Sequence, residues 1–290
     1  MFLPYFTNAM RGNFRFLQAD LNHDLPTIAA LVGDFQPDYV VDYAGQGMVA
    51  QSWETPQHYF QTNVVAKVLL HEELMRATSL KKYVKFSTPE VYGSTEGDVP
   101  ETTLLNPSTP YAVSQAAIDM SLLAYHRQYG FPVVSTRAAN VFGPHQQLYR
   151  IIPRALIYAR TGKKLQLDGG GYSVRNFIFI EDVCAAVWAV MCDAPTGEVY
   201  HVASEDFITI RELVERICTL TSVEFDDFVE VVADRPGKDQ AYYLMTDKIE
   251  GELGWKNTIS LDEGLKRTLD WVDEGLGEIR ELPLEYIHKP

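Results

Sequence analysis

Short apolar runs alternate with amphipathic stretches through the first two-thirds of the chain. F-R-F-L-Q-A-D reads as a strand ending near Asp20, followed by a helical stretch at residues 25–32. D-Y-V-V-D-Y-A-G, residues 38–45, is a compact apolar run closing on small residues, the pattern of a buried parallel strand. A long helix is expected after Pro56, with Phe60, Val64, Leu69 and Leu70 on its buried side. K-K-Y-V-K-F-S (81–87) reads as the next strand and is followed by a polar loop to Pro110. Proline suits a first helical turn, so a helix is predicted from Tyr111 to about Tyr129, stopped by Gly130. F-P-V-V-S-T-R-A is the strand after it. This rhythm predicts right-handed crossovers and a parallel sheet of the doubly wound α/β type.

Beyond Gly143 the elements shorten. R-N-F-I-F-I and G-E-V-Y-H-V-A read as strands, while stretches from Glu181, Arg211 and Leu261 read as helices. The division expected is a Rossmann-like unit at 1–145 and a smaller α+β lobe at 146–290, with some chain returning to the main sheet. The three glycines at 169–171 lack the downstream Lys-Ser/Thr of a phosphate loop and read as a turn.

Composition narrows the partners. A net charge of −14 argues against nucleic acid or an anionic membrane, and means that an anionic ligand needs a local basic pocket. No apolar run reaches membrane-spanning length. The three cysteines, without metal-ligand spacing, predict free thiols in a reducing cytoplasm; Cys184 and Cys192 read as small buried residues of one helix. No histidine, cysteine and carboxylate set has the spacing of a metal site.

Ligands of open parallel sheets bind at the strands' carboxyl ends. Ala44, Gly45, Gln46, Ser87, Thr88, Glu90 and Asn140 follow such ends, and Tyr111 opens a helix within reach. S-T-P-E-V-Y-G at 87–93, P-Y-A-V-S-Q at 110–115 and R-A-A-N-V-F-G-P at 137–144 together resemble the extended short-chain dehydrogenases, most closely the sugar-nucleotide 4,6-dehydratases and epimerases. The resemblance continues through Y-S-V-R-N-F-I-F-I-E-D-V (172–183), D-R-P-G-K-D (234–239) and E-L-G-W (252–255).

That resemblance implies NAD as cofactor and a nucleotide sugar as substrate. Tyr111 is implied as the acid/base at the sugar 4-hydroxyl, Thr88 or Ser87 as its hydrogen-bonding neighbour, and Glu90 as the base that removes the C5 proton. Asp20 and Leu21 are implied near the adenine, and Ala44, Gly45, Thr62 and Gln115 along the cofactor. Asn140, Arg150, Arg175 and Arg235 are implied to hold the nucleotide diphosphate, since a guanidinium pairs bidentately with phosphate. A homodimer through a four-helix bundle, built from the helices at Pro56 and Tyr111, is implied as well.

Three positions depart from the pattern. The family has lysine where Gln115 stands, and glutamine cannot stabilise a phenolate by charge. Pro89 replaces the aspartate acid of the deoxythymidine-diphosphate dehydratases, which the guanosine-diphosphate mannose dehydratases also lack. The opening strand and G-x-x-G-x-x-G turn are not in the sequence, so an upstream β-α-β unit of ~30 residues or more is expected. Three functions follow: an active dehydratase or epimerase, a degenerate member that binds without turnover, or a simple dehydrogenase with no need of Glu90.

Overall fold

The computed structural model describes residues 13–95, 97–233 and 243–289. Among them run β1 (Tyr39–Asp42), β2 (Lys82–Ser87), β3 (Val133–Ala138), β4 (Asn140–Phe142) and β5 (Leu165–Asp168). β6 (Val174–Phe179), β7 (Val199–Val202), β8 (Phe207–Thr209) and β9 (Val229–Val232) follow. The main sheet has the order β1-β2-β3-β7, every pair parallel. β7 therefore returns to the first unit from beyond residue 145. The rest of the lobe carries a β4-β6-β8 sheet and the pair β5-β9.

Helices cover both faces of the main sheet. On one face Val84, Val134 and Tyr200 pack against Val183, Ala186 and Val190 of the Ile180–Asp193 helix. On the other, Tyr83 and Val133 meet Leu70, Leu74, Ile118 and Leu122. Lys82 is buried, and its ammonium donates to the carbonyls of Val190 (3.2 Å) and Ala194 (2.7 Å), satisfying the otherwise open end of that helix. The lobe has its own core, in which Leu156, Leu213 and Leu265 pack against Phe142, Phe177 and Phe179.

Local signals explain the element ends. Thr109 accepts from the Ala112 N–H at 3.1 Å and Pro110 follows it, which starts the Pro110–Tyr129 helix; Gly130, in the left-handed region, ends it. Thr209 and Glu212 form a reciprocal capping box at the start of the Ile210–Thr221 helix. Gly169, Gly170 and Gly171 all take positive φ (55°, 74°, 77°), making the expected turn between β5 and β6.

Three expectations are corrected. Residues 14–20 form no strand: no strand among the described residues lies beside them to complete a hydrogen-bond ladder, and Phe14 and Phe16 stay exposed. After Pro56 the helix passes through a π-helical segment, Gln61–Ala66, whose wider turn rotates the inward face. Phe60 and Leu69 end up outside, and the buried positions become Tyr59, Asn63, Ala66, Lys67, Leu70, His71 and Leu74. Cys184 and Cys192 are exposed beside Trp188, because positions four apart share the outward stripe of their helix; Cys218 is the buried cysteine.

Asp182 joins two motifs distant in sequence. Its buried carboxylate accepts from Asn257 Nδ2 (2.6 Å), Thr258 Oγ1 (2.7 Å) and the backbone N–H groups of Thr258 (3.2 Å) and Ile259 (2.9 Å). The Trp255 indole N–H donates to the Asp182 carbonyl at 3.0 Å. Asp182→Ala strips the acceptor from two backbone donors, with an expected cost of about 2–4 kcal/mol by urea unfolding. An unchanged midpoint would show that this junction carries no stability.

Candidate active site

A cleft of about 1300 Å³ opens where β1, β2 and β3 end and the lobe begins. It exceeds the roughly 300–1,000 Å³ of a pocket for one small molecule, which leaves room for two ligands side by side. Ala44, Gly45, Ser87, Thr88, Glu90, Tyr111, Gln115, Asn140, Arg150 and Arg175 all line it.

The reactive groups sit on first turns and strand ends. Thr88 leaves β2 and caps a short 3₁₀ turn, Pro89–Tyr92, by accepting from the Glu90 N–H at 3.3 Å. That turn carries Glu90, and Tyr111 lies in the first turn of the helix capped by Thr109. Burial, and next the nearby Glu90 carboxylate, push the Tyr111 phenol well above the usual tyrosine range. Thr88, through its hydroxyl, and Arg150, through its charge, work in the opposite direction. Three side chains, from two separate stretches of chain, thus act on one phenol.

Ser87 is engaged elsewhere. Its hydroxyl donates to Asp119 (2.9 Å), which also pairs with Arg137 (3.1 Å). Arg137 donates in turn to the Tyr92 hydroxyl, which meets His201 Nε2 at 2.7 Å. This buried array stands behind the cleft wall.

Gly45 is at φ +152°, and a Cβ there would come within 2.8 Å of Asn63 Oδ1 and 3.7 Å of Gln115 Nε2. The missing side chain lets Asn63 pack against this turn, and Gln46 is pinned beside it by donating its N–H to Asn63 Oδ1 at 2.8 Å. Asp20, Leu21 and Thr62 are not part of the cleft lining. They gather at a separate corner, where Asn22 donates from its backbone to Asp20 (2.7 Å) and from its side chain to Thr62 (3.0 Å). Arg235 lies outside the described residues. Among those residues no group of histidine, cysteine and carboxylate side chains could hold a metal ion.

The cleft also holds residues that sequence reasoning missed. Arg154 lines it one helical turn after Arg150, and its buried Nε has no hydrogen-bond partner. The R-x-x-x-R spacing is a signal that could have shown it. Tyr286, Ile287 and Lys289 return to the opening, where Gln46 Nε2 donates to the Lys289 carbonyl at 2.7 Å and His58 meets His288 at 2.8 Å. Arg150, Arg154, Arg175 and Lys289 give an acidic protein a local cationic wall, which an anionic diphosphate fits.

A parallel sheet covered on both faces, with a tyrosine, threonine and glutamate gathered at its strand ends, defines the extended short-chain dehydrogenase class. Within it, the chain belongs to the GDP-mannose 4,6 dehydratase family, whose model matches residues 5–268. It is 33% identical over 278 residues to a probable dTDP-glucose 4,6-dehydratase of Sinorhizobium fredii, covering 90% of this chain and 79% of that one. DesIV, the dTDP-glucose 4,6-dehydratase of Streptomyces venezuelae solved with NAD bound, superposes with a TM-score of 0.85 at 34% identity, over 91% of this chain and 81% of that one. The trifunctional dehydratase, epimerase and reductase RHM2 of Arabidopsis thaliana is 31% identical over 266 residues; the match takes in 90% of this chain, which spans 40% of the relative's length.

Proposed function

We propose that this chain is an NAD-dependent nucleotide-sugar 4,6-dehydratase. The observation that carries the reading is the convergence of Thr88, Glu90 and Arg150 on Tyr111 at one wall of a cleft with room for two ligands. Bound NAD supplies the hydride acceptor at the start of the cycle and the hydride donor at its end. Ala44, Gly45 and Gln115 would hold it in the cleft, and Asp20, Leu21 and Thr62, at their separate corner, would meet its adenine end. Arg150, Arg154, Arg175, Arg235 and Asn140 hold the diphosphate, so residues 1–145 chiefly carry cofactor and residues 146–290 chiefly carry substrate.

Tyr111 takes the proton of the sugar 4-hydroxyl as C4 is oxidised, with Thr88 holding the same oxygen. The resulting ketone acidifies C5, where Glu90 removes a proton. Pro89 has no proton to give, so the one Glu90 takes from C5 is available to the hydroxyl leaving C6 as water. The proton that Tyr111 took from the 4-hydroxyl balances the one C5 regains as the hydride returns to C6. Glu90 favours elimination over simple oxidation, which needs no second base. The other reading, binding without turnover, is favoured by Gln115, which presents no charge to the ribose.

Incubation with NAD and a panel of dTDP-, UDP- and GDP-hexoses is expected to give a product lighter by one water, without net consumption of NAD. Sugar binding without that product would favour the binding-only reading. The helices at Pro56 and Pro110 leave Phe60, Val65, Leu69, Val113 and Met120 exposed, which supports a homodimer through a four-helix bundle. Free cysteines among the described residues agree with a reducing cytoplasm, and none of the described helices is long and apolar enough to cross a membrane.

A further inference from the structure

Lys85 lies in the middle of β2 and is 1% exposed. Its ammonium donates to Gln115 Oε1 at 3.1 Å and to the Phe86 carbonyl at 2.7 Å. It also stands in register beside Asp42 of β1, whose carboxylate is already paired with buried Lys67. Two ammonium groups therefore lie near one carboxylate in the interior, and of the two only Lys67 is bonded to it. Burial costs an ion several kcal/mol unless its partners compensate. The strain shows at Lys67, where burial and then the Lys85 charge lower the ammonium to about 8. Lys85 is compensated there by its bonds to the Phe86 carbonyl and to Gln115.

What Lys85 does have is a commanding hold on Gln115. An amide can usually turn over to present either end, but an ammonium has three donors and no acceptor, so it can meet only the oxygen. With Oε1 held by Lys85, Nε2 is the end of the amide left on the Gly45 side, 3.7 Å from where a Cβ on Gly45 would stand. Gln115 is itself 94% enclosed yet lines the cleft.

We propose that Lys85 is a positioning residue for cofactor binding: it locks the Gln115 amide so that its two N–H donors face the cleft and bind the ribose hydroxyls of the dinucleotide. This rests on the NAD reading above. It explains how glutamine can serve where the family has lysine: the cation has moved to the neighbouring strand and reaches the ligand through the amide. A fixed donor loses less freedom on binding than one that must first choose an orientation.

The test is calorimetric titration of NAD into the full chain and into three variants, with melting temperatures recorded for each. Lys85→Met keeps the shape of the side chain and leaves Asp42 and Lys67 as a balanced pair, so the fold is expected to hold or gain. NAD affinity is expected to fall roughly tenfold, the size of one lost oriented hydrogen bond. Gln115→Lys sets a third ammonium against the other two and is expected to weaken both affinity and melting temperature. Combining Lys85→Met with Gln115→Lys removes that clash and returns the cation to the helix; affinity is expected to recover to within about threefold of the unmodified chain. A purely structural lysine gives no such reciprocal rescue.

Unchanged affinity in Lys85→Met, or a double variant no better than the weaker single one, would overturn the proposal and leave the NAD reading standing. Failure to bind NAD by the unmodified chain and also by one carrying the expected upstream β-α-β unit would overturn both. Should Lys85→Met not fold, the comparison of Gln115→Lys with the double variant still decides the matter, since rescue there requires the two positions to share one cation.

Discussion

Glu90→Gln is expected to stop elimination by about 10²–10⁴-fold while C4 oxidation continues, seen as bound NAD reduced in a single turnover without loss of water. The same substitution has a second, opposite signature. The Glu90 carboxylate helps to hold the Tyr111 phenol above its ordinary range, and the phenol must ionise before it can accept the 4-hydroxyl proton. The oxidation rate is therefore expected to climb with pH in the unmodified chain, about tenfold per unit while the phenol is mostly protonated. Glutamine removes the anion and moves this limb toward neutral pH. Arg150→Met removes a cation that favours phenolate and moves it further alkaline. Shifts of equal sign in the two variants would disprove the electrostatic assignment, and elimination surviving in Glu90→Gln would remove the carboxylate from the chemistry.

Acid is expected to unfold the protein early. His71 and His201 are both fully buried, and burial holds each imidazole neutral down to about 3. The networks point the same way. Tyr83 donates to Asp42, so His71 Nε2 donates to the Tyr83 oxygen, and its buried Nδ1 has no partner to receive a second proton's bond. At His201, Nε2 faces the Tyr92 hydroxyl at 2.7 Å and Nδ1 the Met245 carbonyl at 3.1 Å, which suits one proton and no more.

The unfolded chain binds protons at these two residues below about pH 6.5, where the folded chain does not. Stability is thus fully present above that pH and is lost as pH falls toward 3, by about 1.4 kcal/mol per unit for each histidine. Two units of acidification then remove about 5 kcal/mol, comparable with the whole stability of many domains. Urea midpoints at pH 7, 6 and 5 are expected to decline, and His71→Gln with His201→Gln to flatten the decline. An equal slope in the double variant would place the acid sensitivity elsewhere.

Thr88, Glu90 and Tyr111 were legible because each lies within a few residues of its own structural cause: a strand end, a threonine cap, a proline at a first helical turn. Parallel pairing of β1, β2 and β3 was likewise announced by apolar runs with helices between them. What escaped depends on partners far along the chain. K-Y-V-K-F-S reads as a strand, but nothing in it says that both lysines are enclosed; the reasons are the end of the Ile180–Asp193 helix for Lys82 and Gln115 for Lys85.

The inward face after Pro56 was misplaced because a π-helical segment has no period that a heptad-like reading detects, and the residues it turns inside include asparagine, lysine and histidine. Ser87 and Thr88 could not be separated from sequence. Adjacent strand residues point to opposite sides, and only the position of Asp119 shows which hydroxyl is engaged behind the wall.

The junction at Asp182 bears on the order in which the molecule is made. Its side-chain partners lie 75–77 residues further along, and the bond from Trp255 spans 73. During synthesis at roughly 5–20 residues per second, the corner where β6 turns into its helix waits several seconds for the segment that fastens it. The stretch of cleft wall formed by Phe177, Ile180 and Glu181 is consequently fastened only once residues 255–259 have been made.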